Sequence, residues 1–240
     1  MSEKIIHIDG VGKILLKRSK RIRHISISIK PFSRAKVTIP DGVDDEIAFR
    51  FVREKKNWIT KHLAKMKELE ALQTKFDENS SFSTRHYKLH LRKEQRNGIS
   101  IRVSNGKINV VYPTVINAHS KVVQTAIREG IERALRSEAK QYLPDKVKEL
   151  AVKFGFKFNK LTLKNIKSRW GFCSRKNNIN LSIHLMRLPD HLIDYVILHE
   201  LVHTVHHNHS TSFWKMLNDI TDGRSKTLEK EFKKYRISIY

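Results

Sequence analysis

The sequence predicts an α+β protein. Three observations carry that prediction: paired segments of period-two apolar alternation, long amphipathic stretches between them, and a histidine-rich helix that starts just after a strand near the C-terminal end. The 240 residues are 39% apolar, enough to bury a core.

Taken in order, "IRHISISI" from Ile22 to Ile29 puts Ile25, Ile27 and Ile29 on one face, and "AKVTIP" follows a connection containing Pro31, which predicts a strand hairpin. Beyond Pro40 and Gly42, the segment from Val43 to about Lys75 carries Ile47, Phe51, Val52, Trp58, Ile59, Leu63 and Met66 among charges and reads as one long helix. "RHYKLHLRK" and "ISIRVSNGKINVVYP", with a turn at Asn105-Gly106, then repeat the strand pattern before a helix over about 117–143 that contains Ile127, Ile131 and Leu135. Strand pair, proline and helix thus occur twice, around Pro40 and Pro113; two similar supersecondary units account for this without an internal duplication. A helical run from Pro144 to Phe154 leads into two further strands, in "KFNKLTLKNI" and "NNINLSIHLMRLP". Asp190, after Pro189, is the expected cap of a helix from His191 to about His206 with Leu192, Val196 and Ile197 buried, and Ser210 the cap of a last helix carrying Phe213, Trp214 and Leu217.

Lys and Arg number 48 against 24 Asp and Glu, a net charge of +24 that implies an acidic partner: nucleic acid, nucleotide or an anionic surface. Lys13 to Lys36 holds nine basic residues and no acidic one, which reads as a solvated strand face or as a groove for a phosphate backbone with Phe32 interleaved. A single cysteine, Cys173, forbids an intrachain disulfide, and no uncharged apolar run approaches the roughly 20 residues needed to span a bilayer. A cytoplasmic location without membrane insertion is expected.

The stretch "HELVHTVHHNHSTSFW" begins at His199. Residues four apart on an α-helix lie about 40° from each other around the axis, so His199 and His203 project from one face toward a single ion. Glu200 stands beside that ion as a general base. A catalytic zinc takes a third protein ligand and leaves one position open. His209, six residues past His203, reaches the ion only if the helix ends first; Asn208, tolerant of the left-handed conformation, supplies a reason for ending. The spacing is that of metzincins, with His206 where those enzymes have a turn-permitting Gly. His206 and His207 are leftover imidazoles, and Glu229 or Glu231 is a weaker candidate than His209 for third ligand. The all-imidazole set favours zinc over other divalent ions.

"SRWGFCSRKNNINLSIHLMRLP" followed by "VILHELVHTVHHNHSTSFW" resembles the YgjP-like metallopeptidases, which share R-W-G-x-C-S, the strand after it and H-E-L-x-H-x5-H-S-x-x-F-W. "RSKRIRHISISI", "VTIP" and Trp58-Ile59 extend the resemblance from about Lys17 to Arg236. It implies a zincin-like catalytic core at 113–240, a basic strand-rich N-terminal half at 1–112, and one family-wide unit. It also implies His199, His203 and His209 as zinc ligands, Glu200 as catalytic glutamate, and peptide or protein substrates. The strand before the metal helix, with Asn180, Leu181, Ser182 and Ile183, is expected to offer a free edge to an extended peptide. Phe172 departs from the family's usual small residue, which would narrow the cleft if that backbone lines it. Cys173 reads as a structural thiol, Arg169 and Trp170 as locking the turn to the core, and Tyr195 or Tyr142 as an oxyanion donor. A triphosphate pyrophosphatase using the same metal, marked by basic side chains converging on it, and a DNA-associated protease are the alternatives.

Overall fold

A computed structural model describes residues 3–29, 34–71, 74–235 and 237. Pro31 and Phe32 lie outside them. The described chain forms two compact units, one up to Thr74 and one from Lys75 onward.

In the first unit, β1 (Glu3–Ile8) and β2 (Gly12–Ser19) form an antiparallel hairpin absent from the sequence prediction. β2 buries Ile14 and Leu16 between exposed or half-exposed neighbours, but its basic residues mask the alternation. The predicted hairpin is present in shorter form as β3 (Ser26–Ser28) against β4 (Lys36–Pro40), and the sheet order is β1-β2-β4-β3. The single long helix expected here is two: α1 (Asp45–Glu54), capped by the Asp44 side chain on the Glu46 N–H, and α2 (Lys56–Ala71), broken at Lys55. Ile6, Ile14, Val37, Ile39, Ala48, Val52 and Ile59 fill the core between sheet and helices. Two cations of the basic stretch serve inside this unit, since Lys17 meets Glu3 and Arg18 meets Asp45, each at 2.6 Å.

The second unit holds two three-stranded sheets. β5 (Lys88–Glu94), β6 (Ser100–Ser104) and β7 (Lys107–Pro113) take the order β5-β7-β6, with Asn105 (φ 50°) and Gly106 (φ 70°) making the predicted tight turn. The boundary expected between Tyr112 and Pro113 therefore falls within β7, inside this unit. Here α3 (Lys121–Lys153), capped by Ser120, runs as one helix through Pro144 where the sequence suggested two. Pro144 removes an N–H from the ladder at a cost of about 3 kcal/mol. Burial offsets it: Leu135, Ala139, Leu143, Val147, Leu150 and Ala151 continue one apolar face across the proline, all at 4% exposure or less.

β8 (Lys160–Lys164), β9 (Gly171–Cys173) and β10 (Asn178–Ser182) form the second sheet in the order β8-β10-β9. Each sheet of the molecule contains the same wiring, a strand parallel to the next-but-one strand with the intervening strand antiparallel beside it. A 3-10 turn (Ile183–Arg187) then leads to α4 (Asp190–Val202), α5 (Thr211–Ile220) and α6 (Ser225–Phe232). Asp190 does not cap α4, since Pro189 holds the cap position; Asp190 instead pairs with Arg85 at 2.5 Å. Among the described residues no helix is long and apolar enough to cross a membrane.

Candidate metal centre

α4 ends at Val202, so His199 lies in its last turn and His203 is the C-terminal cap. The chain then tightens: the N–H groups of Thr204 and His206 bond to the carbonyls of Leu201 and Val202, both at 2.9 Å. Asn208 is not the device that turns it. The non-glycine residues with positive φ among the described ones are Asn105, Asn177 and Asp222. Asn177, in the β9–β10 turn, donates from its side chain to the Thr204 carbonyl at 3.2 Å and ties the end of α4 to the sheet. Ser210 caps α5 by accepting from the Phe213 N–H, which fixes the chain immediately after His209.

This path brings His199, His203 and His209 together, with one ring nitrogen of each within 4.8 Å of the others. The Nε2 atoms of His199 and His209 are 3.1 Å apart. Two imidazole nitrogens on a tetrahedral zinc, each at about 2.0–2.1 Å, would be separated by about 3.3 Å. The donor set fits such an ion. His203 donates its Nδ1 proton to the His206 carbonyl at 2.9 Å, which leaves the Nε2 lone pair free. Burial drives the His199 pKa down to about 3, with the neighbouring His203 and His209 adding to it. Burial lowers that of His203 as well. Both rings are neutral at ordinary pH, as ligation requires. Phe213, fully buried, is the floor of the cluster, its centroid 4.5–4.9 Å from all three imidazole centroids, and Trp214 stacks on His209 at 5.7 Å.

Glu200 is 5% exposed, and one of its oxygens, Oε2, has no hydrogen-bond partner. Burial pushes its pKa up to about 8, against the opposing pull of the Cys173 N–H and of Arg169. Gly171 makes room for this carboxylate. A Cβ there would lie 2.9 Å from Glu200 Cγ and Oε1, so the glycine of the R-W-G element is needed for close approach rather than for backbone freedom.

The strand expected to offer a free edge does not have one. β10 is the central strand, hydrogen-bonded to β8 on one side and β9 on the other, and Asn180, Leu181, Ser182 and Ile183 are all buried at 5% exposure or less. The strand nearest the helix in sequence is thus the innermost of its sheet in space. The edge is β9. Trp170 and Ser174 bond inward to β10 through Ser182 and Asn178, and the antiparallel alternation turns the main-chain groups of Gly171 and Cys173 outward.

A cavity of about 290 Å³ opens beside His199, Glu200 and Gly171, walled by Trp170, Tyr195, Val196, Trp214 and Phe232. Tyr195 lies in this wall, whereas Tyr142 lies under the Arg85 guanidinium and does not line the cavity. Phe172 is absent from it too, its ring held between Lys164 and Arg169 at 5.1 and 5.7 Å, so it does not narrow the cleft. Glu229 borders the cavity but pairs with Lys233 at 2.7 Å, and Glu231 pairs with His191 at 2.9 Å; neither joins the histidines. His206 and His207 also stay out of the group, although the His206 carbonyl orients His203. The Cys173 thiol is held protonated by burial and by Glu200, its pKa raised to about 11.

A family model described as "YgjP-like, metallopeptidase domain" matches residues 23–235. Two solved structures are similar to part of the chain. The metallopeptidase zymogen of Pyrococcus abyssi abylysin is 21% identical, covers 37% of this chain and 90% of its own, and has a TM-score of 0.34. That of Methanocaldococcus jannaschii jannalysin is also 21% identical, with 38% and 93% covered and a TM-score of 0.34. No curated protein matches.

Proposed function

Because this chain belongs to the YgjP-like metallopeptidase family, we propose that it hydrolyses peptide bonds at the His199–His203–His209 site, with zinc as the ion and Glu200 as general base. The observation that carries this reading is the gathering of three imidazoles beside a buried carboxylate whose Oε2 is unpartnered. When bound, zinc supplies Lewis acidity that acidifies a water and polarises a carbonyl. Glu200 takes the proton of the attacking water at a carboxylate oxygen and returns it to the leaving amine. The Tyr195 hydroxyl, in the same wall, is the oxyanion donor. The peptide lies along the outer edge of β9, pairing with the main chain of Gly171 without regard to its sequence.

Cleavage of the phosphoanhydride of a triphosphate draws less support, because of the two cations lining the cavity Lys233 is paired with Glu229 and Arg169 lies over the Phe172 ring, and the wall is aromatic. The +24 charge supports a polyanionic partner outside the site. The single cysteine supports a reducing compartment, the cytoplasm.

The test is to incubate zinc-loaded protein with an unfolded protein and nucleoside triphosphates together and to subtract a Glu200→Ala control by mass spectrometry. New peptides are the expected products. Nucleoside monophosphate and pyrophosphate without peptides would overturn the peptidase reading and leave the metal site intact.

A further inference from the structure

We propose that the cavity beside His199 and Glu200 is a specificity pocket for an aromatic or bulky aliphatic side chain flanking the scissile bond, with Phe232 as the residue that sets the preference. The inference rests on the peptidase reading of the site. Trp170, Tyr195, Val196, Trp214 and Phe232 supply the walls, and the cavity reaches Gly171 at the outer edge of β9. An extended peptide on that edge sends alternate side chains to opposite faces, so one residue adjoining the reacting carbonyl faces this cavity.

Two of the charges lining the pocket are spent on each other, and the third, Arg169, lies at its exposed rim. Glu229 and Lys233 neutralise each other at 2.7 Å across one helical turn. Arg169 is exposed, its guanidinium over the Phe172 ring at 5.7 Å. A carboxylate or ammonium pushed between the aromatic walls would lose its hydration without replacement, whereas an apolar ring gains contact on several sides. Phe232, the last residue of α6, bridges two of those walls, with its ring 5.7 Å from Trp170 and 6.0 Å from Tyr195. Only half-buried, it tolerates replacement better than the core.

The experiment maps cleavage sites in a proteome-derived peptide library with zinc-loaded wild type, Phe232→Glu and Phe232→Ala. The expected result is one position flanking the cleaved bond enriched about tenfold or more in Phe, Tyr, Trp, Leu and Met. Phe232→Glu should lose that enrichment and gain cleavage at Lys and Arg; Phe232→Ala should keep an apolar preference shifted toward larger rings. A second readout needs no turnover: the fluorescence of Trp170 and Trp214, titrated with N-acetyl-phenylalaninamide, should shift saturably in metal-free wild type and more weakly in Phe232→Glu, with N-acetyl-aspartamide producing no shift. Glu200-dependent cleavage without side-chain preference, or a preference unchanged in Phe232→Glu, would overturn the pocket and leave the peptidase standing. Absence of any Glu200-dependent cleavage would overturn the peptidase reading and this inference with it.

Discussion

The sheets β5-β7-β6 and β8-β10-β9 are wired alike, each with a parallel pair, an antiparallel edge strand and an Asn near φ +50° in the connecting turn. Each also needs one glycine for a close approach, and there they part. In the first sheet the glycine is on the helix. A Cβ at Gly130 of α3 would meet the Ile108 and Ile101 methyls at 2.8 and 3.2 Å, so the space it saves is filled by aliphatic side chains. In the second the glycine is on the strand, and the space saved by Gly171 is filled by the Glu200 carboxylate. One layout thus serves packing in one place and seats a buried carboxylate in the other. The chemistry follows from what stands opposite the glycine, not from strand order.

Four measurements break or sharpen that contrast. The largest effect is expected for Glu200→Gln, which should lower peptide cleavage about 10³-fold while zinc stoichiometry and melting temperature stay level. Gly171→Ala comes next. The added methyl displaces the carboxylate, so kcat should fall about 10²-fold with zinc still bound; unchanged kcat would mean that Glu200 has slack and the contrast is false.

The third effect is on stability against pH. His184, fully buried after β10, bonds through Nε2 to Asn165 Oδ1 at 2.9 Å, and Asn165 in turn donates to Glu132, which Lys167 also pairs. Burial lowers the His184 pKa from 6.5 to about 4, with Arg187 contributing. The unfolded chain takes up this proton before the folded one does. Stability is therefore whole above pH 6.5 and declines as pH falls toward 4, by on the order of 2–3 kcal/mol from this residue. Chemical denaturation of wild type and His184→Gln across that range should show a shallower decline in the variant. The smallest effect is Gly130→Ala, where overpacking against β-branched methyls outweighs the gain in helix propensity by about 1 kcal/mol, and Tm should drop by roughly 2–4 °C at unchanged kcat/KM.

Much of the site was legible because its geometry is local. His199 and His203 share a helix face, and His209 follows at a distance that a broken helix can close, so spacing made the gathering of the three an expectation, which their clustering meets. What remained hidden depends on pairing across the chain. That β9 is an edge strand and β10 is not follows from which strands hydrogen-bond, a property that alternation within Asn178–Ser182 does not encode. Gly171 was readable as part of a motif, but its reason is a contact with a residue 29 positions away. The helix break expected at Pro144 failed because the apolar face of α3 continues past it, and burial against two layers outweighs a local preference. The strands β1 and β2 were missed for the opposite reason, since lysines and arginines interrupt a face whose isoleucines and leucines alone are buried.

That uninterrupted α3 touches β6 and β7 on the one hand and β8, the 3-10 turn and α4 on the other. At 33 residues it is a rod about 50 Å long shared by both sheets. Neither sheet can open without exposing part of the same helix, so the two sheets are expected to exchange their amides together. An ion held by the histidines and absent from the unfolded chain raises the opening free energy of everything that opens with them. Amides in β7, which carry none of the ligands, should exchange more slowly when zinc is added, so occupancy of the site is readable far from it.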